Sequence, residues 1–175
     1  GVAPGPHRLA AHRATRRGKV HAARGARLAR GAGALKSGPP LDMATAMGPL
    51  ATLGQLQRAE TRIARSVAGG ATIVCGGKAR QGAGYYFEPT ILLAPSATLP
   101  CVTEEFFGPV LSVLKFNTED EAVGLANGTD YAFAAGVFTQ NLCRAHRLAR
   151  KIRAGVVWLN TYRAVSPIVP LAAIV

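Results

Sequence analysis

Helix and strand patterns alternate along the second half of this sequence, and that alternation limits the folds open to it. The segment NTEDEAVGLANG predicts a helix, because Thr118 and Glu121 form a capping box and Asn127-Gly128 is a stop signal. A strand (YAFAAGVFT), a helix (QNLCRAHRLARKIRAG) and a second strand (VVWLN) follow. Helices alternating with strands predict an α/β fold with a mostly parallel sheet and flanking helices.

The same pattern extends upstream to about Asp42. The stretch ATLGQLQRAETRIARSVAGG predicts an amphipathic helix closed by two glycines, and ATIVCGG predicts a short buried strand. In GYYFEPTILLAP, Pro89 restricts Glu88 to extended backbone, and PVLSVLKF has the composition of a strand. Residues from 42 onward are therefore expected to form an α/β domain.

The positive charge of the chain is concentrated at one end. The formal net charge is +12, but residues 1–41 hold nine Lys or Arg and no acid, so the remainder is nearly balanced. We predict a basic Ala/Arg/Gly-rich arm over 1–41 that is poorly ordered, because large apolar residues are scarce there. Nucleic-acid binding by this arm is the alternative, which the absence of interleaved aromatic residues disfavours.

Cysteine and histidine usage indicates an intracellular protein without a metal site. Cys75, Cys101 and Cys143 are far apart and odd in number, as is typical of reduced thiols, so we expect a cytoplasmic location. The histidines lack H-E-x-x-H spacing, and no apolar run has the length of a membrane helix. A nucleophilic role for Cys101 is a further alternative, disfavoured by its acidic neighbours.

The stretch CVTEEFFGPVLSVLKF places two adjacent carboxylates, Glu104 and Glu105, directly before a strand. They could form a polar loop entering a buried strand, or one of them could be held at a ligand by the turn at Gly108-Pro109. In an extended segment, neighbouring side chains point to opposite faces, so at most one carboxylate faces a given cleft. The residues by themselves leave both interpretations open.

Several segments together resemble one family. EEFFGPVLSV resembles the E-E-[IF]-F-G-P-V signature of the aldehyde dehydrogenase superfamily. MGPLAT, GYYFEPTIL, EDEAVGLAN, YAFAAGVFT and AGVVWLNTYRAVSP resemble other family segments, in the family's order. The resemblance covers about residues 40–170. It implies that 42–170 form part of the family's catalytic domain and that 171–175 are a tail foreign to the family.

The resemblance also implies roles for particular residues. Glu105 would bind the nicotinamide ribose of NAD or NADP, because two carboxylate oxygens can accept hydrogen bonds from two neighbouring hydroxyls. Phe107 would pack beside the nicotinamide, and Asn160 and Tyr162 would border the aldehyde tunnel. In the family reaction, a cysteine thiolate attacks the aldehyde, hydride passes to NAD(P)+, and a glutamate-activated water hydrolyses the thioester.

Departures from the family pattern indicate a fragment. The family's nucleophilic cysteine, general-base glutamate and dinucleotide-binding domain lie upstream of the matching segments, so no catalytic residue is assigned here. We expect an inactive fragment whose exposed sheet edges favour association with another chain. The ending PLAAIV, in place of P-F-G-G, suggests a one-base deletion in the codons for Pro-Leu-Gly-Gly-Tyr. A non-catalytic interaction module with a nucleic-acid-binding arm is the competing function.

Overall fold

The computed structural model describes residues 9–13, 18–162 and 164. The chain divides into two compact units, Gly1–Phe116 and Asn117–Val175. Within the described residues, no helix combines the length and the apolar character that crossing a bilayer requires. The predicted tail at 171–175 lies outside the described residues.

A four-stranded sheet forms the centre of the first unit. Its strand order is β1-β4-β3-β2, in which β4 is parallel to both β1 and β3, whereas β2 is antiparallel to β3. The elements of this unit are β1 Leu9–Arg13, α1 Gly18–Gly33, α2 Leu53–Ala68, β2 Thr72–Cys75, β3 Thr90–Leu93, α3 Pro100–Thr103 and β4 Val110–Phe116.

The core of this unit lies on β3 and the residues around it. Leu92 on β3 is 0% exposed and Phe87, shortly before it, is 1% exposed. Thr90 is also buried, and its hydroxyl donates to the carbonyl of Glu88 and accepts from the amide of Gly77. Buried polar groups are tolerated when they are hydrogen-bonded in this way. The two hydrogen bonds of the buried Thr90 hydroxyl therefore hold the connection between β2 and β3 in place.

The strand predicted as buried in ATIVCGG is present as β2, but the prediction of its burial is wrong. Ile73 and Val74 are about two-fifths exposed, at 41% and 39%, and Cys75 is half-buried. The physical reason is the position of β2 at one end of the strand order. An edge strand has a neighbour on one side, and apolar composition by itself does not distinguish an edge strand from a central one.

The segment expected to be a poorly ordered arm contains regular structure where it is described. β1 pairs in parallel with β4, from Leu9 opposite Ser112 to Arg13 opposite Phe116, and α1 follows. Ala and Arg have high helix propensities, and sheet pairing uses backbone groups that every residue other than proline carries. Scarce large side chains therefore did not prevent either element. The boundary at residue 41 stays a prediction.

The second unit confirms the predicted alternation of helices and strands. β5 and β6 form a parallel pair, from Ala134 opposite Val156 to Val137 opposite Leu159. Local signals set the helix starts, because the Thr118 side chain accepts from the amide of Glu121. The predicted α/β class with mostly parallel strands is thus confirmed. The elements are α4 Glu119–Asn127, β5 Ala134–Val137, α5 Leu142–Lys151 and β6 Val156–Leu159.

Glu119 joins the two helices of this unit. Its carboxylate accepts from Arg147 Nε at 2.5 Å and from Arg144 Nε at 3.2 Å. The hydrogen bond from Arg147 holds the pKa of Glu119 at about 2, below its ordinary 4.5, although desolvation of the carboxyl acts in the opposite direction. The negative first turn of α4 is therefore paired with the basic face of α5.

Candidate functional site

The two adjacent glutamates lie where α3 gives way to the loop before β4. Glu104 ends α3 with extended backbone (φ −112°, ψ 144°), and its amide donates to the carbonyl of Pro100. Successive side chains on an extended backbone point to opposite sides. The local geometry therefore separates the side chain of Glu104 from that of Glu105.

Glu104 is bound by two arginines of α2. Arg62 Nε lies 2.9 Å from one carboxylate oxygen of Glu104, and Arg65 Nη1 lies 2.9 Å from the other. Arg62 Nη1 also donates to the backbone carbonyl of Glu105. Residues three apart lie on the same helix face, which is why both guanidinium groups reach one carboxylate. We call Arg62, Arg65 and Glu104 the Glu104 clamp.

The next residues alternate between the core and the surface. Phe106 is buried, whereas Phe107 is 54% exposed and has a positive φ of 46°. A side chain other than glycine is uncommon in this left-handed region, and such strained positions cluster at ligand sites. A Cβ added at Gly108 would stand 3.4 Å from Leu50. That distance is an ordinary van der Waals contact, so Leu50 does not by itself require a glycine directly after Phe107.

Glu105 and Phe107, the two residues expected at the cofactor, thus lie together on one short loop of the first unit. Glu105 is half-buried, and Phe107 exposes about half of its surface. A carboxylate with two acceptor oxygens suits a pair of neighbouring hydroxyls, and an aromatic face suits a flat heterocycle. The acceptor oxygens of Glu105 and the aromatic ring of Phe107 fit the hydroxyls and the flat ring of a nicotinamide nucleotide.

Asn160 and Tyr162, the two residues expected at the aldehyde tunnel, follow β6 in the second unit. Asn160 has a positive φ of 54°, and its amide side chain bonds to both backbone groups of Thr139. The Tyr162 ring packs edge-on against Trp158, with ring centroids 5.3 Å apart and planes at 73°. Asn160 and Tyr162 are therefore held on one loop of the second unit, whereas Glu105 and Phe107 belong to the first unit.

The cysteine that was the alternative nucleophile is buried in the part of the chain that the structure describes. Cys101, the alternative nucleophile, is 4% exposed, and its carbonyl accepts from the hydroxyl of Ser112. Cys75 is half-buried and Cys143 is exposed on α5. A reactive cysteine needs an accessible, electropositive environment, so the burial of Cys101 argues against that alternative.

Sequence reasoning missed the residues that support the four expected ones. Arg62 and Arg65 received no role, although their spacing on an amphipathic helix was a usable signal. Thr139 was also missed, because its partner Asn160 lies 21 residues away in sequence. Trp158 was missed although its partners Tyr162 and Ala164 follow it closely, because no periodic pattern indicates that pairing. Each missed residue helps to hold a neighbouring segment of the chain in place.

A comparison with protein families matches residues 8–172 to the model of the aldehyde dehydrogenase family. The chain is 51% identical, over 145 residues, to (Z)-2-((N-methylformamido)methylene)-5-hydroxybutyrolactone dehydrogenase of Acinetobacter baylyi, covering 82% of this chain and 30% of that protein. It is 44% identical, over 137 residues, to betaine aldehyde dehydrogenase of Cereibacter sphaeroides, covering 78% and 28%. The chain therefore spans about three-tenths of the length of these curated relatives.

Solved structures give the same result. The NAD+ complex of aldehyde dehydrogenase from Bacillus cereus superimposes with a TM-score of 0.87 at 33% identity, covering 94% of this chain and 33% of that one. Lactaldehyde dehydrogenase from Escherichia coli superimposes with a TM-score of 0.80 at 36% identity, covering 84% and 31%. The family match begins at residue 8, upstream of the segments that first indicated the resemblance.

Proposed function

Because the chain belongs to the aldehyde dehydrogenase family, we propose that it contributes to the NAD(P)-dependent oxidation of an aldehyde to a carboxylic acid. The observation that carries this proposal is the different placement of the two adjacent glutamates. Glu104 is engaged by Arg62 and Arg65, and the extended backbone directs Glu105 to the opposite side of the segment. Glu105 is therefore the carboxylate that we assign to a ligand.

The loop from Glu105 to Phe107 supplies the cofactor contacts. The Glu105 carboxylate accepts hydrogen bonds from the hydroxyls of the nicotinamide ribose, and the Phe107 ring packs beside the nicotinamide. The bound nicotinamide nucleotide, NAD or NADP, would accept the hydride. The contact between Arg62 and the carbonyl of Glu105 fixes the backbone from which the carboxylate extends. The part that this chain plays in the reaction is to bind and orient the nicotinamide nucleotide.

Asn160 and Tyr162, on the loop after β6, are the residues that we assign to the border of the aldehyde tunnel. Residues 42–170 supply part of a catalytic domain, and the nucleophile and general base are assigned to no residue of this chain. The exposed edge strand β2, with Ile73 and Val74, supports association with another chain. Separated thiols support a cytoplasmic location.

Cofactor titration tests the proposal. The 175-residue chain is titrated by calorimetry with NAD+ and, separately, with NADP+. Glu105→Gln keeps the shape of the side chain but removes its charge, so affinity should fall about tenfold, equivalent to about 1.4 kcal/mol. Glu60→Gln, at an exposed glutamate of α2, is the matched control and should bind as the unaltered chain does.

Two outcomes would contradict the proposal. One is that the unaltered chain binds neither nucleotide. The other is that Glu105→Gln and Glu60→Gln bind equally well. Either result would remove the cofactor role from Glu105 and leave the loop as a polar entry to β4.

A further inference from the structure

We propose that Asn160 is a positioning residue, which holds the loop after β6 so that Tyr162 lies against Trp158. The inference rests on the proposed function in one respect: Tyr162 is taken as a wall of the aldehyde tunnel. Asn160 itself is expected to act through the backbone rather than by touching the aldehyde. Its side chain is already bonded to Thr139 through both of its polar atoms.

The backbone of Asn160 turns the chain at the end of β6. Its φ of 54° lies in the left-handed region, which asparagine adopts more readily than most residues other than glycine. Its amide still donates to the carbonyl of Val137 at 2.8 Å, as a continuing strand would. The strand pairing therefore reaches Asn160, and the chain leaves the sheet there.

The side chain of Asn160 extends that pairing by one more residue. Oδ1 accepts from the amide of Thr139 at 2.8 Å, and Nδ2 donates to the carbonyl of Thr139 at 3.0 Å. The carboxamide thus satisfies both backbone groups of Thr139, as a paired backbone residue would. Aspartate lacks the donor, and glycine lacks both groups. Asparagine is the residue that combines the turn with both bonds.

The loop beyond Asn160 is held at a second point. The Trp158 indole N–H donates to the carbonyl of Ala164 at 2.8 Å. Between the two points, the Tyr162 ring packs on Trp158, and its Cδ2 would lie 3.4 Å from a Cβ added at Gly136. Tyr162 remains 37% exposed, so part of its ring faces outward. The position of Tyr162 thus follows from the turn at Asn160 and from the surface formed by Gly136 and Trp158.

A matched asparagine makes the inference testable. Asn127, at the end of α4, bonds in the same manner: Nδ2 donates to the carbonyl of Lys151 and Oδ1 accepts from the amide of Arg153, each at 2.8 Å. Removing either asparagine side chain costs the same two kinds of hydrogen bond in the same unit. Loss of stability should therefore be similar for both. Tyr162 should be displaced only when the side chain of Asn160 is removed.

The readout is the emission of Trp158, the single tryptophan of the chain. Asn160→Gly keeps the left-handed turn and removes both side-chain bonds, whereas Asn127→Ala removes the corresponding pair at α4. Tyr162→Ala provides the reference spectrum for a Trp158 that has lost its ring partner. We expect Asn160→Gly to reproduce most of the emission shift and of the gain in acrylamide quenching caused by Tyr162→Ala. Asn127→Ala should leave both unchanged.

An unchanged Trp158 signal in Asn160→Gly would overturn the proposal, and so would an equal shift in Asn127→Ala. Circular dichroism of each variant confirms that it is folded, and Asn160→Asp repeats the test if Asn160→Gly does not fold. The measurement uses neither cofactor nor aldehyde. Its failure therefore leaves the proposed function standing, and a failure of nucleotide binding leaves this result standing.

Discussion

The Glu104 clamp should stabilise the protein without binding a ligand, and Glu104→Gln measures this directly. The Arg62–Glu104 contact is 2.9 Å between side chains that are 24% and 29% exposed, so solvent screens it only in part. Changing a charged hydrogen bond into a neutral one there should cost about 1 kcal/mol. The Arg65 contact, with its arginine 57% exposed, should add at most about 0.5 kcal/mol. We therefore expect a loss of about 1.5 kcal/mol in the free energy of unfolding.

Urea unfolding followed by circular dichroism supplies the assay. A double-mutant cycle that combines Glu104→Gln with Arg62→Met isolates the pair, and its coupling energy should be about 1 kcal/mol. Glu60→Gln, at an exposed glutamate of the same helix α2, is the control and should change the free energy of unfolding by no more than about 0.5 kcal/mol. Added salt should weaken the exposed Arg65 contact more than the Arg62 contact.

The reasoning fails if the two glutamates exchange behaviour. A stable Glu104→Gln together with a Glu105→Gln that loses more than about 1 kcal/mol would mean that Glu105 is the structural partner of α2. A coupling energy near zero between Glu104 and Arg62 would remove the clamp. In either case the assignment of Glu105 to the nicotinamide ribose would lose its structural basis.

Two further predictions concern other parts of the fold. Ionised Glu119 should favour the folded state above pH 4.5, and this contribution should disappear as the pH falls from 4.5 to about 2, so Glu119→Gln should flatten the pH dependence of Trp158-monitored unfolding in that window. An unchanged pH profile would contradict it. Leu92→Ala should lower the free energy of urea unfolding by about 2–5 kcal/mol because Leu92 is 0% exposed, whereas Ile73→Ala, at a 41% exposed edge position, should cost clearly less. Equal losses would refute the assigned core.

Helices and strands whose ends are determined by nearby residues could be predicted from the sequence. The Thr118 capping box places donor and acceptor three residues apart, and the structure forms that bond at 3.1 Å. The alternation from α4 to β6 follows from such local signals and from apolar spacing. The extent of burial of β2 does not, because it depends on which strands lie beside it. Strand order is a non-local property, so the same apolar residues are compatible with the centre or the edge of a sheet.

The sequence predicts that only one of the two adjacent glutamates can bind a ligand in a given cleft, and it does not identify which one. Extended backbone implies that one carboxylate at most faces a cleft, but nothing local says which one. In the structure, Arg62 distinguishes the two glutamates because it binds the carboxylate of Glu104. Arg62 lies 42 residues from Glu104 in sequence. The same arginine also donates to the backbone carbonyl of Glu105, so α2 contacts both glutamates, one through its carboxylate and the other through its backbone. An assignment of Glu105 to a cofactor therefore depends on α2 as much as on the motif that contains it.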